Sequence, residues 1–97
     1  MSDLLLVHGT CHGAWCFDRL IPELAALGVS ARAIDLPGRD GSPTTLDAYA
    51  QAIVDAASPG TILVGHSAAG FAITAAAEAD PTRFRALISL CAYLPTP

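Results

Sequence analysis

The apolar residues of this chain fall in short unbroken runs that alternate with helix-spaced stretches. Leu4 to Val7 is apolar at every position, which predicts a strand buried on both faces that stops at His8-Gly9. Between Trp15 and Leu27, apolar residues recur at Phe17, Leu20, Ile21, Leu24 and Leu27. That spacing predicts a helix with Gly28 as its C-terminal cap. Pro22 lies inside it, so either the helix starts near Asp18 with proline in its first turn, or it is kinked. Val29 to Leu36 predicts a second strand, running into the turn Asp35-Leu36-Pro37-Gly38. Arg39 to Thr44 is polar loop. Thr44 or Thr45 is the expected cap of a helix reaching about Ala57, with Asp47 in its first turn. Thr61 to Val64 predicts a third buried strand, and Gly65 through Gly70 a turn. The helix that follows to Ala79 is apolar almost all round, the mark of a buried helix. Ala86 to Leu90 predicts a fourth strand.

The order β-α-β-α-β-α-β predicts an α/β fold, an open and mostly parallel sheet flanked by helices. In such sheets chemistry gathers at the carboxyl ends of the strands. Three segments occupy that rim: His8 to Gly13, Asp35 to Gly41 and Gly65 to Gly70.

Composition narrows the partners. The 97 residues are 53% apolar and 14% charged, the make-up of a buried α/β core rather than a disordered chain. A chain of this length buries only roughly 60–65% of its surface, so further covering of these elements is expected. The net charge is −4, lysine is absent and the five arginines are scattered. No basic patch exists for nucleic acid or for an anionic membrane. The three cysteines, Cys11, Cys16 and Cys91, form no CxxC, which disfavours a disulfide framework and fits a reducing, cytoplasmic setting. The run Leu4 to Val7 is too short for a signal core or a membrane span.

The chemistry concentrates in Thr61-Ile62-Leu63-Val64-Gly65-His66-Ser67-Ala68-Ala69-Gly70. A strand runs straight into a helix with serine at the corner. Such a corner lifts the hydroxyl over the sheet in a strained backbone conformation. The residues two before and two after the serine must be small, and here they are Gly65 and Ala69. The familiar pattern has glycine at the latter position, so Ala69 is a departure. A helix starting at Ser67 directs free N–H groups at developing negative charge. The N–H of Ala68 is then one expected oxyanion donor. If the first and third strands are neighbours, the N–H of Thr10 is the second.

On these residues the chain resembles the α/β-hydrolase superfamily along its whole length. More narrowly, Val7-His8-Gly9-Thr10-Cys11-His12-Gly13-Ala14-Trp15 is similar to the start of the plant methylesterase and hydroxynitrile lyase branch and its bacterial esterase relatives. Ile34-Asp35-Leu36-Pro37-Gly38, Pro81-Thr82-Arg83-Phe84 and Ala92-Tyr93-Leu94-Pro95 also fit that branch, in which the last segment leads into a helical cap. The resemblance implies a serine hydrolase acting on a small-molecule carboxylic ester through an acyl-serine, with Ser67 as nucleophile. Hydroxynitrile lyases of the branch typically place a threonine where this chain has Gly9 and an acidic residue where it has His66. Both positions look like the esterase side. Gly9, His12 and His66 are the expected pocket residues. Dehalogenase and epoxide hydrolase relatives use an aspartate nucleophile, which Ser67 replaces.

A serine needs a base, and the base an orienting acid. The superfamily places them after the nucleophile in the order serine, acid, histidine. Both are expected in the remainder of the same polypeptide, roughly 150 residues or more by the usual size of such domains. Residues 1–97 are accordingly read as the N-terminal part of a single α/β-hydrolase domain. His8 and His12 are the alternative bases within the chain. No cofactor or metal is expected, because His8, Cys11, His12 and Cys16 lack zinc-site spacing. The glycine spacing around Ser67 is similar to a phosphate loop, but Phe71-Ala72 stand where Lys-Ser/Thr would be required. Trp15 is expected in the core, and Asp35 as a backbone tie within its own turn. Competing functions are a non-catalytic ligand-binding protein of this fold, and a lyase or acyltransferase on the same triad.

Overall fold

The computed structural model describes residues 3–95. The elements run β1 (Asp3–Val7), a 3-10 turn (Ala14–Phe17), α1 (Leu20–Ala26), β2 (Ser30–Ile34), α2 (Leu46–Ala56), β3 (Thr61–His66), α3 (Ala69–Ala79) and β4 (Phe84–Leu90). The four strands form one parallel sheet in the order β2-β1-β3-β4. The α/β class and the succession of strands and helices are those expected.

The unbroken apolar run of β1 has a direct cause. Leu5 and Val7 face α2 and α3, packing with Ala50, Ile53, Ala72, Ile73 and Ala76. Leu6 faces the other way and packs with Phe17, with Leu4 and Ile21 at the edge of the same cluster. A strand covered on both faces has no position to spend on a polar side chain.

Chain direction places the rim. From β1 the chain steps outward through α1 to β2. It then returns across β1 through α2 to β3, and on through α3 to β4. The winding reverses between β1 and β3, where open parallel sheets form their crevice. His8-Gly9-Thr10 and Ser67 leave the sheet side by side at that point, since Val7 pairs with Gly65.

Element ends differ from the sequence reading where pairing overrides apolarity. β3 continues through Gly65 and His66 because these pair with Ser89 and Leu90 of β4. α3 therefore starts at Ala69, with Ala68 as its N-cap, rather than at Ser67. β4 starts at Phe84, opposite Thr61. The helix-spaced stretch from Trp15 to Leu27 divides into the 3-10 turn and α1, with Pro22 in the first turn of α1, where its missing N–H costs nothing, rather than at a kink. Gly28 does follow α1. Its N–H bonds Ala25 O at 3.0 Å and the Val29 N–H bonds Leu24 O at 2.9 Å, the paired bonds of a Schellman close.

Of the two candidate caps, Thr45 is the one used. Its Oγ1 accepts the Ala48 N–H at 3.0 Å. Thr45→Ala is expected to destabilise the protein by about 1 kcal/mol. Thr44→Ala should change little, and urea unfolding of both variants checks the difference. Among the described residues no helix is long and apolar enough to cross a membrane.

Candidate active site

Ser67 sits in the left-handed region at φ 57°, which a residue with a Cβ adopts only under constraint. The constraint is visible. The Ser67 carbonyl accepts both the Gly70 N–H and the Tyr93 N–H at 3.1 Å, and the Ser67 N–H reaches Leu90 O at 3.4 Å. The corner is thus held by α3 on one side and by the segment after β4 on the other.

Small residues surround it. A β-carbon on Gly65 would stand 2.9 Å from Ile73 Cδ1 and 3.1 Å from Ala69 O. Ala69 itself is buried, 2% exposed. The tightest position is Gly70, which the sequence reading did not single out. A β-carbon there would overlap the Tyr93 carbonyl oxygen and stand 2.9 Å from the Tyr93 carbonyl carbon.

The β1 loop closes on the corner from the other side. A β-carbon on Gly9 would stand 3.0 Å from His66 O and 3.1 Å from Ser67 Cβ. Among the described residues, no protein acceptor takes the backbone N–H of Thr10 or of Ala68. Nor does any side chain hydrogen-bond the Ser67 hydroxyl.

A cleft of about 420 Å³ opens between the β1 and β2 loops and the start of α3. Gly9, Thr10, His12 and Ala68 line it, with Leu36, Tyr49 and Ala72 as apolar wall. His66 lines an adjoining hollow of about 330 Å³ with Phe17, Leu20 and Leu90. His12 borders both hollows. Its ring lies 6.0 Å from that of His66, and its Nδ1 is buried without a partner.

Three residues sit where sequence reasoning did not put them. Trp15 is 56% exposed on the cleft, edge-on to His12 at 5.6 Å, instead of in the core. It belongs to the short 3-10 turn, which is too brief to turn every apolar side chain inward. Asp35 does not tie its own turn. Its Oδ1 accepts the Ala14 N–H at 2.8 Å and pairs with Arg39 Nη1 at 3.2 Å. Arg39 Nε–H in turn donates to His12 O at 3.3 Å. The Ala14–Asp35 and Arg39–His12 bonds clamp the β1 loop to the β2 loop across 21 and 27 residues of sequence, so no local pattern announces them. Tyr49 reaches the cleft from the first turns of α2, again without a local signal.

The electrostatics of the rim are modest. Ser42 donates twice to Asp40, from Oγ at 2.6 Å and from the backbone N–H at 3.0 Å, and holds that carboxyl below its ordinary range. Burial raises the Cys16 thiol, keeping it protonated near neutrality. Among the described residues, no group of three or more His, Cys, Asp or Glu side chains is placed to hold a metal ion.

Residues 4–97 match the model of the alpha/beta hydrolase family. The chain belongs to that family. This α/β-hydrolase chain is 37% identical over 106 residues to esterase PIR7B of Oryza sativa subsp. japonica, covering 97% of itself and 40% of that relative. The structure of methylesterase MES16 from Arabidopsis superposes with a TM-score of 0.87 at 28% identity, over 100% of this chain and 46% of that one. An extracellular α/β-hydrolase from a Paenibacillus species superposes with a TM-score of 0.90 at 23% identity, covering 99% and 43%, a likeness of fold. The chain thus spans less than half the length of each of these three proteins.

Proposed function

We propose that the complete protein hydrolyses a small-molecule carboxylic ester through an acyl-serine intermediate. The observation that carries this reading is the strained Ser67 at the β1–β3 crevice, flanked by the amides of Ala68 and Thr10, which have no acceptor among the described residues. Ser67 Oγ attacks the ester carbonyl while a base takes its proton. The Ala68 and Thr10 N–H groups hold the oxyanion of the tetrahedral intermediate. Its collapse expels the alcohol, protonated by the base, and leaves acyl-serine. Water then attacks the acyl group by the same route, releasing the acid.

His8 is a poor candidate for the base, because both of its ring nitrogens are engaged with backbone groups. The base and its orienting acid belong, in this reading, to the remainder of the polypeptide. The outer edge of β4 supports such an addition, since Leu87, Ile88 and Leu90 are each more than 40% exposed there. An edge strand of that character calls for a cover. A β-carbon on Gly9 would press on His66 O and Ser67 Cβ, so the threonine that hydroxynitrile lyases carry would require these neighbours to give way, and the glycine found here favours ester hydrolysis. The names of the relatives, esterase and methylesterase, point the same way. The apolar wall of Leu36 and Ala72 suits an uncharged acyl or alcohol group.

The test is covalent. The full-length protein treated with a fluorophosphonate should carry one adduct, mapped to Ser67 by peptide mass spectrometry, and should hydrolyse 4-nitrophenyl acetate until it is labelled. An adduct elsewhere, or none, sinks the assignment.

A further inference from the structure

His8 is buried, 5% exposed, at the end of β1, and the chemistry above makes no use of it. Its Nε2 lies 2.9 Å from the Leu36 amide nitrogen. That nitrogen only donates, so Nε2 is the acceptor and carries no proton. A neutral imidazole then carries its proton on Nδ1. Nδ1 lies 2.9 Å from the Gly9 carbonyl oxygen, so its N–H donates there. Two backbone partners thus select one tautomer.

The Gly9 carbonyl accepts a second bond, from the His12 N–H at 3.2 Å. This carbonyl and the Thr10 N–H belong to the same peptide unit. The unit is planar and trans, so its N–H points opposite to its C=O. Anchoring the oxygen on two donors fixes where the Thr10 N–H points. The anchor has work to do, because the peptide lies outside regular structure and Cys11 turns sharply at φ 63° just beyond it. A carbonyl that accepts hydrogen bonds also polarises its own N–H into a better donor.

We propose that His8 is a positioning residue for the oxyanion site, its Nδ1–H anchoring the Gly9 carbonyl and so orienting the Thr10 N–H. The inference rests on the reading of Thr10 as an oxyanion donor. His8 touches no substrate. It acts through one peptide plane, and at the same time ties the β1 loop to the β2 loop through Leu36.

The two ring nitrogens can be mimicked separately in the full-length protein. His8→Asn places an amide N–H near the Nδ1 position and keeps the bond to Gly9. His8→Gln reaches the Nε2 position with its carbonyl oxygen and keeps the bond to Leu36. Loss of a whole oxyanion donor costs about 100- to 1000-fold in kcat, so a misdirected donor should cost about tenfold or more. His8→Gln is expected to lose that factor in kcat on 4-nitrophenyl acetate with KM unchanged. Its affinity for a trifluoromethyl ketone, whose adduct oxygen needs the same donors, should fall in parallel. His8→Asn should restore most of kcat while melting at a lower temperature. Equal kcat in the two variants, or activity that merely follows Tm, overturns the proposal. Nitrogen NMR of the unmutated protein tests it without relying on either variant: protonated Nδ1 supports the role and protonated Nε2 refutes it. Fluorophosphonate labelling run alongside separates the two readings. An unlabelled Ser67 removes the oxyanion site itself, whereas a labelled Ser67 with an unimpaired His8→Gln removes only the role of His8.

Discussion

Ser67→Ala in the full-length protein is expected to remove ester hydrolysis, with kcat falling by about a million-fold, the scale on which serine hydrolases lose activity when the nucleophile is deleted. The expectation rests on geometry that an ordinary helix-capping serine lacks. Ser67 is left-handed at φ 57°, its carbonyl is pinned by Gly70 and Tyr93, and its hydroxyl has no partner among the described residues. A structural serine with a Cβ has no reason to hold that conformation, which costs of order 1 kcal/mol or more. The same strain gives a second readout of opposite sign. Ser67→Gly should be as inactive as Ser67→Ala, yet more stable by about 1 kcal/mol, because glycine enters the left-handed region freely. Turnover assays and urea unfolding on the same samples test both halves. Turnover in Ser67→Ala above about 1% of the parent would rule out acyl-serine chemistry on a scale of this size.

Gly70→Ala is expected to be the most damaging small substitution in the chain. Gly70 stands in the first turn of α3, where helix propensity alone favours alanine over glycine by about 0.5–1 kcal/mol. Tertiary contact reverses the sign. The new methyl would overlap the Tyr93 carbonyl oxygen, with the Tyr93 nitrogen at 3.0 Å. Backbone cannot rotate aside as a side chain does, so the segment after β4 must move. That movement breaks the Tyr93 N–H bond to Ser67 O and disturbs the stack of Phe71 on Tyr93 at 5.7 Å. Overpacking of this kind costs about 1–3 kcal/mol. Activity should fall as well, since one of the two donors on the Ser67 carbonyl is lost. A Gly70→Ala protein as stable as its parent would mean that the Tyr93 segment does not cross α3 there.

Local sequence carries some of these relations and not others. The corner at Ser67 was legible because strand, small residues and buried helix follow one another without interruption. The crowding rule was legible at Gly65 and Ala69, which lie within two residues of the serine. Gly70 was not, because the atom that forbids its side chain belongs to Tyr93, on a different strand's exit. Trp15 and Asp35 were misplaced for related reasons. An aromatic residue is a good core candidate in a long helix, but a 3-10 turn of four residues has no continuous inner face. An aspartate beside Pro-Gly is a good turn residue, but the Ala14 N–H, distant in sequence, offered a partner at 2.8 Å.

Local features were readable along the chain: the order of strands and helices, the two-faced burial of β1, the Thr-capped start of α2, and a serine at a strand-to-helix corner. Periodicity, propensity and neighbouring small residues encode these within a few positions of the chain. Folding in three dimensions was needed to set β1 beside β3, to press Gly9 on Ser67, to leave the Thr10 and Ala68 amides open together among the described residues, and to let His8 anchor the peptide carrying one of them. Those relations join segments far apart in the chain. They exist because the sheet reverses its winding between β1 and β3, and the ladder pairing that sets this reversal has no signature in any single stretch of residues.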